Sequence, residues 1–233
     1  MNLSVVIPCF NEMRSIEQVL IDVRNAVGHE GEIIILDDFS TDGTREFLEK
    51  NEGNLVYQVI YQPVNMGKGA ALRAGFARAT KNTVIVQDAD LEYSPEDYKA
   101  LISPIEEGYA DVVYGSRFKG DRPQRVLYFW HRVGNSALTF MSNLFTNLNL
   151  TDMETGYKAF RRDIIQSIVI EENRFGFEPE ITAKISGRGL RVYEVGIAYF
   201  GRTYEEGKKI SWTDGLWAIW CILKYKIKGV KAL

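Results

Sequence analysis

Short β-branched runs alternate with helical periodicity along the first half of the chain. Residues 3–8 (LSVVIP), 32–37 (EIIILD), 56–61 (VYQVIY), 83–88 (TVIVQD) and 111–116 (DVVYGS) read as strands. Residues 14–27 place Ile16, Val19, Leu20, Val23 and Val27 at helical spacing. Further helices are predicted at 42–50, at 67–80 (rich in small residues) and from near Pro95, a favoured first-turn position. Strands apolar on both faces, alternating with helices, predict an α/β fold. Its central sheet is mostly parallel, with helices on both faces.

The second half breaks this rhythm. Residues 117–125 (RFKGDRPQR) read as a loop. An amphipathic helix is expected over 127–147 and a short strand over 155–160 (TGYKAF). Another helix is expected over 175–189, with glycine at its exit, and a strand over 191–200. A Trp-rich helix follows at 211–227. No internal repeat or low-complexity segment is evident. The division expected is one catalytic domain over 1–210, with halves 1–116 and 117–210, followed by an amphipathic helix and basic tail over 211–233.

Composition narrows the class. The 233 residues are 45% hydrophobic and 25% charged, with net charge −3, as in an ordinary soluble domain and without a general case for nucleic-acid binding. Lys208, Lys209, Lys224, Lys226, Lys228 and Lys231 crowd the C-terminal end, where Asp214 is the only acid after Glu206. Cys9 and Cys221 are too far apart for metal-type spacing. The N-terminus lacks a signal-peptide pattern, and no apolar run is long enough to span a bilayer, so a cytoplasmic protein is expected.

The fourth predicted strand runs directly into Asp88, Asp90 and Glu92. In a parallel α/β sheet, ligands sit beyond the C-terminal strand ends. Asn11, Glu12, Asp37 and Asp38 share that address after the first two strands. Gathered carboxylates repel one another, and a hard divalent ion relieves the repulsion by binding one or two of them together with phosphate oxygens. D-x-D at a strand end therefore predicts Mg²⁺ or Mn²⁺ holding a diphosphate, against the plainer reading of helix-capping acids. The segment 65–75 (NMGKGAALRAG) lacks the third glycine of a dinucleotide fingerprint. It reads as a close-packed helix start, with Lys68 available to phosphate.

Together, VVIPCFNE (5–12), ILDDFSTDGT (35–44), NMGKGAALRAG (65–75), DADL (88–91), ADVVYGSRF (110–118), TGYKAFRR (155–162) and GRTYEEGKK (201–209) resemble family 2 glycosyltransferases of the GT-A (Rossmann-like) fold. The nearest branch looks like the dolichyl- or polyprenyl-phosphate hexose synthases. The resemblance implies a nucleotide-sugar site comprising Pro8, Asn11, Glu12, Asp37, Asp38, Lys68, Gly69, Asp88, Ala89, Asp90, Arg202 and Lys208. It implies a metal on Asp88, Asp90 and Glu92, the last replacing a frequent glutamine, and acceptor-phosphate contacts from Arg117 and Arg132. The reaction implied is inverting transfer of a hexose from a GDP-mannose- or UDP-glucose-type donor to a polyprenyl phosphate. A phosphate acceptor is largely dianionic at neutral pH and needs positioning more than deprotonation. The alternative is a glycan hydroxyl acceptor, which needs a base such as Glu154, Glu178 or Glu180.

The C-terminal helix combines Leu216, Trp217, Ile219, Trp220, Leu223 and Ile227 with Lys224, Lys226 and Lys228. That pattern suits either an interfacial helix on an anionic membrane or packing on the core or a partner. Peripheral attachment at the cytoplasmic membrane face is the expectation, and a homo-oligomer is compatible with the sequence. His29 reads as solvated and His131 as structural.

Overall fold

The computed structural model describes residues 1–53, 58–120, 122–126, 128–203, 205–206 and 212–228. Lys208, the start of the 56–61 strand and the end of the basic tail lie outside the described residues. The elements run β1 (Leu3–Cys9), α1 (Ile16–Val27), β2 (Glu32–Asp37), α2 (Thr44–Asn51), β3 (Gln58–Tyr61), α3 (Lys68–Arg78) and β4 (Thr83–Val86). A 3-10 turn at Pro95–Asp97 leads into α4 (Tyr98–Glu106) and β5 (Val112–Ser116). The remainder is α5 (Phe129–Thr146), β6 (Lys158–Arg161), α6 (Arg162–Ser167), α7 (Phe177–Ser186), β7 (Val192–Gly196) and α8 (Trp212–Lys228).

One seven-stranded sheet has the order β3-β2-β1-β4-β6-β5-β7. Every pair is parallel except those of β6, which is antiparallel to both β4 and β5. The mostly parallel sheet expected from the sequence is therefore present. The period-2 alternation of each strand divides the core. Val5, Ile7, Ile33, Ile35 and Ile85 face α1 and α4 on one side. Val6, Ile34, Leu36, Val84 and Val86 face α3 and α7 on the other.

Three strand boundaries differ from the sequence reading by two or more residues. β4 ends at Val86, so Gln87 and Asp88 already belong to the loop. There Gln87 N–H still donates to the Val6 carbonyl at 3.0 Å, while its Oε1 accepts from the buried hydroxyls of Tyr98 (2.8 Å) and Tyr157 (2.5 Å). β6 begins at Lys158, three residues late, because residues 152–156 turn toward the end of β4. β7 stops at Gly196, and Tyr199 then makes an isolated bridge to Gln124. The short helix α6 was not anticipated.

Helix α3 lies close to the sheet because Gly75 has no side chain. A Cβ there would meet Val6 Cγ1 at 2.4 Å and Leu36 Cδ2 at 2.6 Å. Gly134 in α5 has open space around it. Gly75→Val should lower unfolding stability by about 2–3 kcal/mol through overpacking. Gly134→Ala should raise it by roughly 0.5–1 kcal/mol through helix propensity. Urea denaturation midpoints of the two variants check the opposite signs.

Candidate active site

The loops leaving β1, β2 and β4 meet at one edge of the sheet. Asn11, after β1, adopts a left-handed conformation (φ 52°), which asparagine tolerates better than most residues. Its backbone N–H donates to Ser40 Oγ (2.9 Å), and its Oδ1 accepts from Thr41 N–H (2.8 Å). Glu12 N–H donates to Thr44 Oγ1 at 3.1 Å. Pro8, within β1, sits opposite Leu36. The β1 and β2 exits are thus laced together.

The two acids after β2 have separate duties. Buried Asp37 is paired with Arg45, whose guanidinium also donates to the Gln62 carbonyl at 2.9 Å. Asp38 accepts the N–H groups of Met66 and Gly67, both at 2.7 Å. Burial pushes the Asp38 carboxyl upward, against those two donors. This fixes the turn that starts α3. Gly67 there has φ 95°, and Gly69 approaches the Glu172 carbonyl so closely that a Cβ would clash at 2.1 Å. Asp37 and Asp38 therefore shape the walls of the site through protein partners.

The D-x-D loop is held by cations from distant elements. Asp88 Oδ1 lies 2.9 Å from Lys68 Nζ, at the first residue of α3. Lys68 also reaches Glu178 Oε1 at 3.1 Å, in the first turn of α7. Burial works against the Lys68 ammonium, but Asp88 and Glu178 outweigh it and raise its pKa. Asp90 Oδ2 pairs with Arg202 at 2.7 Å. The same guanidinium lies 3.4 Å from Glu12 and 3.5 Å from Glu92, while Arg202 N–H donates to Glu92 Oε1 at 2.8 Å. Burial, then the charges of Asp88 and Glu92, raise the Asp90 carboxyl despite Arg202. Ala89 is buried, and its carbonyl accepts from Ser15 Oγ at 2.7 Å.

The donor set is all oxygen and suits a hard divalent ion. Among the described residues, however, no three His, Cys, Asp or Glu side chains converge as a ready site. Asp88 turns to Lys68, while Asp90 and Glu92 turn to Arg202. Two carboxylates completed by diphosphate oxygens are within the ordinary habit of Mg²⁺ or Mn²⁺.

Arg117, just past β5, forms a two-pronged pair with buried Asp152 at 2.7 and 2.8 Å. Asn135 of α5 donates to the same carboxylate at 3.1 Å. The guanidinium lies over the rings of Phe118 (5.6 Å) and Tyr199 (5.2 Å). Burial penalises the Arg117 charge, yet Asp152 more than restores it. Arg132 is different: it is exposed and lies over the Phe118 ring at 3.9 Å, with no carboxylate partner among the described residues. Tyr199 joins the two regions, since its hydroxyl donates to Glu92 Oε2 at 3.0 Å. Tyr93 stacks on Tyr157 at 4.5 Å, and its hydroxyl accepts from Gly156 N–H at 3.0 Å.

Sequence reasoning missed Asp152, Asn135, Tyr93, Tyr199 and Lys158. Lys158 lies within the TGYKAFRR segment but carried no assigned role, the other four stand outside the quoted motifs, and each reaches the site through the tertiary fold. Of the acids proposed as bases, Glu180 accepts the N–H groups of Glu171 and Glu172 and pairs with Lys184, so it supports a loop. Glu178 and Glu154 remain beside the site.

Residues 4–169 match the family model described as "Glycosyl transferase family 2". Over 217 residues the chain is 29% identical to a dolichol-phosphate mannosyltransferase of Pyrococcus furiosus, covering 90% of this chain and 61% of that protein. It is also 29% identical over 218 residues to an undecaprenyl-phosphate mannosyltransferase of Micrococcus luteus, covering 89% and 87%. The chain thus spans about three fifths of the Pyrococcus relative. The fold matches glucosyl-3-phosphoglycerate synthase from Mycobacterium tuberculosis, solved with Mn²⁺, UDP-glucose and phosphoglyceric acid. That match has TM-score 0.76 and 22% identity, covering 98% of this chain and 80% of that one.

Lys68 stands between the half-buried carboxylate of Asp88 and the buried one of Glu178, which defines a test of the geometry. Lys68→Met should cost about 3 kcal/mol, because Asp88 and Glu178 lose their shared counter-charge. Adding Glu178→Gln should cost less than the sum of the single changes. Denaturant unfolding of the four proteins in this cycle checks the coupling, and additive losses would disprove the pairing.

Proposed function

The chain belongs to glycosyl transferase family 2, and on that premise we propose that it transfers a hexose from a nucleotide diphosphate sugar to a polyprenyl phosphate. The supporting observation is the wall shared by the carboxylate loop and the arginines. Tyr199 donates to Glu92 while its ring lies over Arg117. A donor bound at the loop and a phosphate bound at the arginines would be neighbours. Both mannosyltransferase relatives carry a polyprenol-type phosphate in their names.

In this reading the nucleotide half lies along the exits of β1 and β2, with Pro8, Asn11, Glu12 and the loop shaped by Asp37 and Asp38. Lys68, Gly69 and Arg202 flank the diphosphate. Asp88 and Asp90, assisted by Glu92, would hold Mg²⁺ or Mn²⁺, which supplies Lewis-acid neutralisation of the departing diphosphate. Arg202 would exchange its carboxylates for phosphate oxygens, to which its planar fork is equally suited. Arg132 and Arg117 orient the acceptor phosphate behind the sugar carbon. A dianionic phosphate attacks without a base, and direct displacement inverts that carbon.

The apolar surface fits a lipid acceptor. Helix α5 exposes Phe129, Val133, Phe140 and Leu144 along one stripe and contains no acidic residue. Helix α8 exposes Leu216, Trp220, Leu223 and Ile227 at spacings of four, three and four. Such faces suit the interfacial zone of a membrane. The cations contribute less than the sequence suggested, since Lys224 pairs with Glu172 at 2.5 Å and Lys228 with Glu171 at 2.6 Å. Among the described residues, no helix is long and apolar enough to cross a membrane.

The deciding experiment supplies Mn²⁺ or Mg²⁺, a panel of UDP- and GDP-hexoses and a short polyprenyl phosphate, and follows lipid mass. The lipid should gain one hexose, and Asp90→Ala should reduce turnover at least about 10²-fold. Arg132→Ala should raise the acceptor KM about tenfold while leaving the donor KM within about twofold, as expected for a lost charged hydrogen bond. Transfer to a glycan hydroxyl with no lipid product would replace the acceptor in this reading.

A further inference from the structure

Loop 151–157 is pinned at nearly every residue. Thr151 and Asp152 donate their N–H groups to Glu194 Oε1, at 2.8 and 3.2 Å. Met153 N–H donates to Thr139 Oγ1 at 3.1 Å, and Gly156 N–H to Tyr93 at 3.0 Å. Gly156 packs so closely on the D-x-D loop that a Cβ would lie 2.2 Å from Asp88 Oδ2. Within this rigid loop, Glu154 Oε1 is shielded from solvent and has no hydrogen-bond partner among the described residues. An empty acceptor of this kind is costly, and native proteins seldom leave one without a reason.

The surroundings of Glu154 indicate which kind of group its Oε1 could accept from. Its charged neighbours are Glu178, Lys158, Arg117 and Asp152. Glu178 belongs to the Lys68–Asp88 chain on the donor side, and Arg117 and Asp152 form the pair on the acceptor side. Lys158 is fully buried; it donates to the Thr155 carbonyl and lies over the Tyr114 ring at 5.0 Å. Glu154 thus stands where the two sides meet, with a buried ammonium nearby. A sugar hydroxyl suits that combination, because it donates to a carboxyl oxygen and accepts from an ammonium.

We propose that Glu154 reads a hydroxyl of the hexose being transferred and so sets which sugar the enzyme accepts. The assignment rests on the nucleotide-sugar reading above. Burial and the Glu178 charge raise the Glu154 carboxyl, so a hydroxyl also relieves an unfavourable site. Sites built around such contacts reject analogues lacking the group, because the protein partner is then left unpaired.

The test compares wild type, Glu154→Gln and Glu154→Ala. The donors are a nucleotide hexose that wild type turns over and its series of monodeoxy analogues. Binding of the nucleoside diphosphate with Mn²⁺ is measured in parallel, and melting curves establish that each variant is folded. Diphosphate binding should stay within about twofold in all three proteins. Removing one particular hydroxyl should lower the wild-type kcat/KM by about 10- to 100-fold, the scale of leaving one buried polar group unsatisfied. The same removal should cost Glu154→Ala less than about threefold, with Glu154→Gln in between. An equal loss with every donor, and wild-type discrimination retained, would overturn the proposal and leave Glu154 a base or a structural group. Failure of wild type to bind any nucleoside diphosphate would instead remove the donor reading on which the proposal rests.

Discussion

Charge compensation at the end of β4 is the constraint around which the site is organised. Asp88, Asp90 and Glu92 leave the sheet within five residues, and burial makes their mutual repulsion expensive. The fold answers with cations from separate parts of the chain: Lys68 from α3 and Arg202 from beyond β7. Those contacts tie the first half of the sequence to its end. They also explain why α3 must start where it does, and hence why Asp38 grips the Met66–Gly67 turn.

The same logic extends across the antiparallel strand β6. The loop before β6 turns toward the sheet edge and brings Asp152 to Arg117 and Gly156 to Asp88. Tyr93, Tyr157 and Tyr199 fill the space between, and hydroxyl groups of this wall meet Gln87, Glu92 and Gly156. The charges of the D-x-D loop and of the Arg117–Asp152 pair are thus fixed against one rigid surface. Arg132, stacked on Phe118 and exposed, stands apart from this locked set.

Locking and readiness are different properties. Lys68 is held between half-buried Asp88 and buried Glu178, and Arg117 by a short pair to buried Asp152, which preserves their charge and direction. Arg202 is shared among three carboxylates, so a diphosphate and its ion offer it equivalent partners. The exposed apolar residues of α5 and α8 lie outside this charged region.

The sequence alone determined the strands, most helices and the address of the carboxylates. Apolar periodicity reports which face of each element is buried, and polar residues at strand ends in a parallel sheet must gather at one edge. Short-range patterns carry that information because it depends on neighbours two to four residues apart. The antiparallel insertion of β6, the Arg117–Asp152–Asn135 cluster and the shielded, unpartnered Glu154 Oε1 were legible only in the tertiary structure. Each depends on groups 17 or more residues apart, or on the absence of a partner, and no local pattern encodes which buried charge will find one.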